Sequence, residues 1–572
     1  MNSIIFYARI LIFGLMLVCI LPVYAGAQSV KYDKEHKKMY EEAQFYYQFD
    51  NFQSAFPVFL QLYQYDSLSN EINFKLGVCY FNCVRDVVGA QRYFEKSCKE
   101  FLDSYYYLGR IYHLLGNFDK AIESYRFYEN QNGEKAFESE VVDYYMTKSV
   151  VAKEMTTSPG SFRIRNLGQP VNSPYPDYVP VISSDEGIML FTSRRDGSTG
   201  NKKDPNGEFF EDIYISYNKL GEWTNPVNIG PPVNSETHDA CISLTQDGQQ
   251  LFMYRTNKEL TGGDIYITRL VDGKWTEPGI IEAEVNTRAG LETSVCLTPD
   301  ENTLYFSSNR EGGYGGMDLY MVKKMPAGDW SLAQNLGPKV NSPYDEDAPY
   351  VHPDGRTMYF SSKGHKNMGG FDIFKSELMD DGQWSAPGNM GFPVNSVRDD
   401  IYFVVSADAK RGYFSSNRDG GYGNSDIYIA QMPDNFENRL LLKGTVTTNE
   451  PVFAPVRATI TLIDYESKEV QGIYRTNKKT GKYLMVLQPD KKYKMVIEAK
   501  DYHSFTDDID MTDRKQMANL SRHINLEPII REFIDPIQAE RDSIEHAKLY
   551  SLRLLFPDSL ELFVPDSLRI KE

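Results

Sequence analysis

Cysteine is scarce in this chain: its 572 residues include six. Cys19 lies in an apolar N-terminal run, and the other five are Cys79, Cys83, Cys98, Cys241 and Cys296. Without Cys19, which lies in the N-terminal run, five cysteines remain. An odd number excludes a framework in which every cysteine is paired, and a chain of this length can build its cores without disulfides. We expect small buried thiols. Bridges between Cys83 and Cys98, or between Cys241 and Cys296, stay open as alternatives.

Basic residues are fewer than acidic ones, with 61 Lys and Arg against 79 Asp and Glu and a net charge of −18. Nucleic acids and anionic membrane surfaces attract clustered Lys and Arg, so this balance disfavours both as partners. Catalytic signatures are missing too. The sequence contains no His-Glu-x-x-His, no nucleophile elbow and no P-loop.

The eight histidines are scattered, and none lies within helical or strand reach of another, as paired metal ligands would. They are His36, His113, His238, His352, His365, His503, His523 and His546. We therefore expect no catalytic, cofactor-binding or metal-binding residue, no cofactor and no enzymatic activity.

Two acidic pairs are the remaining candidates for catalysis. Asp345 with Asp347, and Asp399 with Asp400, have the paired carboxylates that glycosidases use, and sialidase-type propellers use carboxylates. Each pair follows a repeated Val-Asn, at a place where other repeats also carry Glu or Asp. A solvated turn is the preferred interpretation of both pairs.

Residues 1–27 have the pattern of a secretory signal peptide. They carry one charge, Arg9, then an uncharged apolar run from Ile10 to Tyr24, then three small residues. An uncleaved anchor is the alternative, but the run is shorter than the ~20 apolar residues that span a bilayer. Val18 precedes Cys19 where a lipid-modification site needs a small residue. We expect export with cleavage after Ala27 and no lipid anchor.

Residues 34–155 show helical spacing of apolar residues in three similar pairs. Their matching alanines, Ala55, Ala90 and Ala121, are 35 and 31 residues apart, which brackets the 34-residue tetratricopeptide period. Gly77 and Gly109 place small residues where two helices approach closely. The pattern predicts an α-solenoid of tetratricopeptide type, with a further helix near 137–154 and a linker at 156–161.

Residues 161–433 repeat a different unit five times. Asp-Ile-Tyr or a variant begins at residues 212, 264, 318, 372 and 426, at intervals of 52, 54, 54 and 54. All four tryptophans follow the same period, and so does Val-Asn, which recurs, mostly before Ser, at Asn172, Asn234, Asn286, Asn341 and Asn395. Four short strands per repeat of this length predict a five-bladed β-propeller. Its first strand, in 161–173, matches the outer strand that the fifth unit lacks and should complete the last blade.

The glycine-rich stretch SSNREGGYGGMDLY (307–320), which returns at 415–428, resembles a phosphate-binding loop. A dinucleotide loop joins a strand to a helix and occurs once, whereas this stretch joins two strands and recurs with the repeat. We expect Gly312, Gly313, Gly315 and Gly316 to supply positive φ in a hairpin that Asp318 caps. Calcium bound in these turns is the alternative, but few carboxylates converge in each repeat.

Residues 440–528 alternate apolar and polar residues between turn signals, which predicts a small antiparallel β-sandwich. The tail, 529–572, contains one helical stretch and two copies of Pro-Asp-Ser-Leu. An extended tail of this kind can add a strand to a partner's sheet, and a loosely packed end is the alternative. The predicted fold class is multidomain α and β.

The motifs SSNRxGGYGxxDIY, PVNS and PDG resemble the WD40-like PD40 propeller repeats, and 440–528 resembles a carboxypeptidase regulatory-like domain. The order of the three segments is similar to that of PorE-like, OmpA-family periplasmic proteins of the type IX secretion system of Bacteroidota. This resemblance implies a location in the periplasm at the inner face of the outer membrane. Its implied partners are envelope proteins, bound by the tetratricopeptide groove and the propeller face. About 44 residues follow the sandwich, so the OmpA-like domain of such relatives, and with it peptidoglycan binding, is not expected.

Three binding-type segments without a catalytic constellation favour a non-catalytic scaffold for protein–protein interactions, in a secretion or gliding machinery by the resemblance. The alternative is a propeller that binds or hydrolyses a glycan or a peptide.

Overall fold

The computed structural model describes residues 32–84, 86–204, 207–433, 436, 439–449, 452–512, 520–529, 544 and 548. The predicted signal peptide, 1–27, and nearly all of the tail, 529–572, lie outside them. None of the helices in these ranges has the length and apolar character needed to cross a bilayer. The described residues divide into two compact units, one of 32–159 with 366–370 and 395–398, the other containing the remaining described residues.

The first unit is built from seven helices in the described part of the chain, and each packs against the next. They are α1 (Lys34–Gln48), α2 (Phe52–Tyr65), α3 (Asn70–Cys79), α4 (Val87–Ser97), α5 (Asp103–Leu114), α6 (Phe118–Asn130) and α7 (Ser139–Thr157), with a π-helical turn at Tyr80–Val84 after α3. The last helix runs to Thr157, so it includes the start of the predicted linker 156–161.

Local sequence explains where these helices begin and how closely they pack. Asp33, Asn51, Ser69 and Asp86 cap α1 to α4, because each side chain accepts a hydrogen bond from a free backbone N–H of the first turn. A Cβ at Gly109 would lie 2.5 Å from the Tyr125 ring. Helices that approach this closely need glycine at the contact.

The second unit begins with five antiparallel sheets whose strands follow the repeats. After β1 (Arg163–Asn166), the first sheet contains β2 (Asp177–Ile182), β3 (Ile188–Ser193), β4 (Asp212–Lys219), β5 (Glu222–Trp223) and β6 (Val227–Asn228). The second contains β7 (Asp239–Leu244), β8 (Gln250–Thr256), β9 (Gly263–Val271), β10 (Lys274–Trp275) and β11 (Gly279–Ile280). The third contains β12 (Glu292–Leu297), β13 (Thr303–Ser308), β14 (Asp318–Lys323) and β15 (Gln334–Asn335). The fourth contains β16 (Glu346–Val351), β17 (Thr357–Ser362), β18 (Asp372–Glu377) and β19 (Gly388–Asn389), and the fifth β20 (Asp400–Val405), β21 (Arg411–Ser416) and β22 (Asp426–Gln431).

The five sheets form a closed ring. Their first strands, β2, β7, β12, β16 and β20, contact one another in order, and β20 also contacts β2. We call these the inner strands. The ring closes because β1 pairs with β22, from Arg163 opposite Gln431 to Asn166 opposite Tyr428, so the first strand completes the fifth sheet.

The repeated Val-Asn joins each sheet to the segment that enters the next one. Asn234 accepts a hydrogen bond from the backbone N–H of Ile213 and donates one to its carbonyl, both at 2.9 Å. Asn172 makes the same two bonds with Ile427 across the closure. A buried asparagine that pairs with both groups of one peptide fixes the register between sheets at little cost.

The glycine-rich stretch is a turn, as the sequence predicts, but its glycines are needed for two reasons. Asp318 caps it by accepting hydrogen bonds from the backbone N–H of Tyr314 and Gly315 at 2.6 and 3.0 Å. Among the four glycines, Gly312 alone has positive φ, at 91°. The expectation of positive φ at the other three is wrong. A Cβ at Gly315 would lie 2.0 Å from the carbonyl oxygen of Tyr344, so close backbone approach requires this glycine.

The rest of the second unit is a sandwich of two four-stranded sheets around one apolar core. One sheet contains β23 (Leu440–Asn449), β24 (Val452–Pro455), β27 (Lys482–Leu487) and β30 (Ser521–Leu526), and the other β25 (Thr459–Asp464), β26 (Val470–Arg475), β28 (Lys492–Glu498) and β29 (Phe505–Asp510). One pairing differs from the predicted antiparallel pattern, because β30 runs parallel to β23.

Candidate functional site

Each inner strand begins with a buried acidic residue. These residues are Asp177, Asp239, Glu292, Glu346 and Asp400, and they form the acidic ring of the second unit. In four sheets an arginine of the same sheet pairs with the carboxylate, at 2.5 to 3.4 Å; these are Arg195, Arg255, Arg310 and Arg418. A feature that returns in nearly every repeat belongs to the architecture.

The fourth sheet has no such arginine. Gly364 occupies the position that Arg310 and Arg418 hold after their strands. Glu346 instead accepts hydrogen bonds from the hydroxyls of Ser342 and Ser362 and from the backbone N–H of Ser342. Burial raises the pKa of Glu346 to about 7. Nε2 of His365 lies 4.0 Å from its Oε1, but burial lowers the pKa of this histidine.

The next residue along each inner strand differs from sheet to sheet. The five positions hold Tyr178, Ala240, Thr293, Asp347 and Ile401. The residue before the repeated Asp-Ile-Tyr also varies, as Glu211, Gly263, Met317, Phe371 and Ser425. Two carboxylates, Glu211 and Asp347, thus lie at the end of the ring where the inner strands begin, and the repeat does not require them. We call this end, with Tyr178, Glu211, His238, Asp347 and Tyr402, the mouth.

Asp347 is nearly buried, with 5% of its surface exposed. Its Oδ1 accepts hydrogen bonds from the hydroxyls of Thr293, at 2.8 Å, and Ser294, and from the backbone N–H of Ala348 at 2.7 Å. Within the described ranges, no donor reaches its Oδ2. Burial raises the pKa of Asp347 above its usual value, although these hydrogen bonds act in the other direction.

Glu211 is held from two sides. Its Oε1 accepts a short hydrogen bond from the Tyr178 hydroxyl, and its Oε2 lies 3.1 Å from Nδ1 of His238. The His238 ring stacks on Phe210, with centroids 4.3 Å apart. Burial acts to raise the pKa of Glu211, but the contacts with His238 and Tyr178 and the charge of Arg194 outweigh it and lower the pKa.

Tyr402 is the third residue of β20, two positions after Asp400. Burial first, and then the negative charges of Asp347 and Glu211, raise the pKa of its hydroxyl well above the usual value. This hydroxyl makes no hydrogen bond with any described residue. Tyr402 has φ of +61°, and Val179 and Ala348, at the same position of their strands, have +53° and +54°. Non-glycine residues rarely adopt this conformation, so the backbone is strained where the mouth is built.

A cavity of about 50 Å³ lies between the inner strands, lined by backbone and side chains of all five. Such a volume holds a few water molecules, whereas small-molecule sites occupy roughly 300–1,000 Å³. A ligand much larger than water therefore does not fit in this cavity.

The sandwich contacts the opposite end of the ring. Arg457 pairs with Glu301 at 2.9 Å, Asn477 donates to the carbonyl of Asp247 at 3.1 Å, and Arg439 pairs with Asp354 at 3.2 Å. The three residues contacted belong to the hairpins that follow the inner strands of the second, third and fourth sheets. The mouth is therefore the end that the sandwich leaves uncovered.

Exposed tyrosines lie in loops at the same end of the ring as the mouth. Tyr175, Tyr314, Tyr344 and Tyr422, which we call the rim tyrosines, are 37% to 52% exposed and lie in loops at the end where the inner strands begin. Tyr combines a flat apolar ring with a hydroxyl, which suits surfaces that contact a ligand. Centre and rim together place carboxylates and aromatic rings on one face.

Two larger clefts, of about 340 and 510 Å³, lie between the fourth sheet and the sandwich. Both are lined by Arg356, Asp380, Gln471 and Gln488. Arg356 is paired with Asp380 at 2.6 Å, and Lys491, which lines the larger cleft, is 3.4 Å from Asp464. Arg356 and Lys491 thus already have acidic partners in the protein. The clefts differ from the mouth in their larger volume.

The acidic pairs singled out in the sequence separate in the structure. Asp400 belongs to the acidic ring and Asp347 to the mouth, and both are buried, so the interpretation as solvated turns is wrong for them. Asp345 pairs with Lys363 at 2.7 Å, and Asp399 accepts a hydrogen bond from the backbone N–H of Phe371. The inner strands begin at Glu346 and Asp400, so Asp347 and Asp400 belong to strands and not to the turns before them.

The other candidates are spread through the molecule. The five cysteines of 32–529 are free thiols, and burial raises the pKa of Cys79, Cys241 and Cys296. His113 is buried in α5 against Ser149. In the part of the chain that the structure describes, no three His, Cys, Asp or Glu side chains are grouped as metal ligands. Of the histidines, His238 lies in the mouth, and its spacing in the sequence does not indicate this location.

No protein family model and no curated protein matches this chain. Similar solved structures include an α-L-arabinofuranosidase from Lactobacillus brevis, with 14% identity and a TM-score of 0.32, over 46% of this chain and 91% of that one. The RS223 β-xylosidase has 14% identity and a TM-score of 0.33, over 48% and 97%. A GH43 β-xylosidase/α-arabinofuranosidase from a compost microbial metagenome has 10% and 0.33, over 48% and 97%.

These comparisons correct two expectations from the sequence. The expectation of a non-catalytic interaction scaffold, and the expectation that the chain is not an enzyme, are wrong, because the similar structures include an arabinofuranosidase and xylosidases. With 10–14% identity and TM-scores below 0.5, the likeness assigns no role to any residue here. The chemistry of the mouth rests on its own geometry.

Proposed function

We propose that this protein is a glycan-directed propeller protein that binds a neutral oligosaccharide across the mouth. The observation that carries the proposal is the departure of the mouth from the repeat. Tyr178, Glu211, Asp347 and Tyr402 occupy positions where the other sheets have different residues. Because the architecture tolerates many residues at these positions, a functional constraint accounts for polar groups that converge there.

The chemistry of the mouth suits a sugar. A sugar ring offers hydroxyl groups on its edge and C–H groups on its face. Carboxylates such as Glu211 accept hydrogen bonds from hydroxyls, the unpaired hydroxyl of Tyr402 can donate one, and the electron-rich face of a rim tyrosine packs against C–H groups. Two carboxylates and a net charge of −18 disfavour a polyanionic glycan, so the proposed ligand is neutral.

The finer architecture is part of the proposal. The ring of five sheets that β1 closes supports a five-bladed propeller of PD40 type, and the stacked helical pairs support a tetratricopeptide-type solenoid. Export through residues 1–27, the location in the periplasm, the likeness to PorE-like proteins and the binding of envelope proteins stay predictions from the sequence.

Binding is tested with the purified protein on an array of neutral glycans, followed by calorimetry with the glycan that binds. We expect Tyr314→Ala and Tyr422→Ala each to weaken binding about tenfold, since an aromatic contact contributes roughly 0.5–1.5 kcal/mol. Tyr217→Ala is the matched control, because Tyr217 is 45% exposed at the other end of β4. Failure of the wild-type protein to bind any neutral glycan, or an equal loss in the control, contradicts the proposal.

A further inference from the structure

We propose that the mouth hydrolyses the glycosidic bond of the bound glycan, with Asp347 as the general acid and Glu211 as the general base. The inference rests on the proposed glycan binding and adds the reaction and the two residues that carry it. Most enzymes that hydrolyse glycosidic bonds use two carboxyl groups beside the bond to be cleaved, one that holds a proton and one that does not.

The repeat separates these two carboxylates from the structural ones. The buried acids of the ring have their arginine or serine partners in each sheet, and they would be present in any protein built from these repeats. Asp347 replaces Tyr, Ala, Thr or Ile, and Glu211 replaces Gly, Met, Phe or Ser. Glu211 precedes β4 and contacts Tyr178 of β2, and Asp347 is the second residue of β16, so both lie at the end of the ring where the inner strands begin. Two acids that the fold does not need thus lie at the same end of the ring.

The surroundings of Asp347 suit an acid. All its hydrogen bonds within the described ranges go to Oδ1, so Oδ2 is the atom that can carry a proton. No Lys or Arg pairs with it there. A buried carboxyl without a cation keeps its proton to higher pH, which burial here achieves.

The surroundings of Glu211 suit a base. Tyr178 contacts one of its oxygens and His238 the other, which stabilises the ionised form. With both oxygens engaged, Glu211 is better placed to take a proton from water than to form a bond to carbon. The reaction is therefore a single displacement by water.

The step balances as follows in atoms and electrons. The bond between the anomeric carbon and the glycosidic oxygen breaks, its electron pair stays on that oxygen, and the oxygen takes the proton of Asp347. A water oxygen bonds to the anomeric carbon and gives one proton to Glu211. Exchange of protons with solvent then restores Asp347 and Glu211, and the net reaction is the addition of one water to one glycoside.

The experiment uses the full protein and, as substrate, the neutral glycan that binds on the array. Release of reducing ends is measured for the wild type, Asp347→Asn, Glu211→Gln and the control Glu236→Gln, an exposed carboxylate on the same face. We expect a fall of about 10²–10⁴-fold in kcat for either mouth variant and no change for the control. Affinity measured by calorimetry should stay within about threefold of wild type for Asp347→Asn, which reports that the variant is folded.

The pH profile and the product identify the roles. Asp347→Asn should lose the alkaline limb of the profile and Glu211→Gln the acidic limb, and proton NMR should show the anomer of inverted configuration as the first product. If the glycan binds and is not cleaved, or if both variants keep wild-type kcat, the inference is wrong and the proposed binding stands. If no neutral glycan binds, both fail.

Discussion

The acidic ring and the mouth have residues that are adjacent on an inner strand, yet the repeat requires an acid at the first position and not at the second. Glu346 and Asp347 are neighbours on β16, and both are almost fully buried. Glu346 has a counterpart in every sheet, whereas Asp347 has none. A repeat protein contains its own control, because whatever the fold needs, it needs five times. The comparison separates residues that the repeat requires from residues that it does not require.

The largest expected effect is on stability and comes from the acidic ring. Arg418→Ala leaves Asp400, which is fully buried, without the cation that it contacts. We expect a loss of about 3–5 kcal/mol in the free energy of unfolding, because a buried carboxylate loses the cation with which it forms its ion pair. Trp223 and Trp275 lie in strands of the ring, and Trp330 and Trp384 form isolated bridges next to its strands. Urea unfolding followed by tryptophan fluorescence therefore reports on the ring.

Arg457→Ala is the matched control for Arg418→Ala, since its side chain is 39% exposed and its ion pair is worth little. The folded Arg418→Ala protein should bind glycan as the wild type does. A stability change below about 1 kcal/mol would mean that the ring is not the structural element that its repetition indicates.

A second prediction concerns the fourth sheet, where the ring lacks its arginine. The pKa of Glu346 is raised from 4.5 to about 7, so the folded protein holds a proton there that the unfolded chain releases. The stability from this group is fully present below about pH 4.5 and is lost as pH rises through about 7, a change of about 3 kcal/mol. Glu346→Gln mimics the protonated acid and should abolish this part of the pH dependence in urea unfolding.

Glu292→Gln is the contrast for Glu346→Gln. It occupies the same position in the neighbouring sheet but loses an ion pair with Arg310, and should destabilise the protein at neutral pH. Equal pH slopes in wild type and Glu346→Gln would show that Glu346 is ionised in the folded state.

The period of the sequence predicts the sheets, the closure by β1 and the cap formed by Asp318, because each depends on a residue pattern that recurs. The mouth does not recur, and it is assembled from Tyr178, Glu211, Asp347 and Tyr402, which are up to 224 positions apart in the chain. Asp347 looked like a residue of a solvated turn because it follows Val-Asn closely. In the structure the inner strand begins at Glu346, so Asp347 is its second residue and lies at the mouth.

One signal in the sequence alone could have indicated the mouth. Alignment of the five units against one another shows which columns change, and an acid in a column otherwise occupied by Tyr, Ala, Thr and Ile stands out. The burial of that column cannot be read from composition, since strand ends are fixed by the register of the neighbouring strands.

A third prediction separates binding from stability within the inner strands. The hydroxyl of Tyr402 has no partner among the described residues, so Tyr402→Phe should leave the free energy of unfolding within about 0.5 kcal/mol of wild type. We expect it to weaken glycan binding about tenfold, as loss of one hydrogen bond does. Tyr350→Phe is the contrast, because its hydroxyl donates to the carbonyl of Val405 at 2.8 Å. That variant should lose about 1 kcal/mol of stability and keep its affinity. The reverse pattern in calorimetry and urea unfolding would contradict the assignment of the mouth.

The smallest effect is expected at the end of the ring that the sandwich contacts. Glu301 pairs with Arg457 at 2.9 Å and lies 3.7 Å from Arg475, but both arginine side chains are 31% to 39% exposed. Glu301→Gln should therefore cost at most about 1 kcal/mol in urea unfolding. The cost should shrink between about 0.01 M and about 1 M salt, since exposed pairs are screened, while the cost of Arg418→Ala should persist. Glycan affinity should not change, because Glu301 follows the far end of β12 from the mouth. A loss of affinity would mean that the two ends of the ring are coupled and that the mouth is not an independent site.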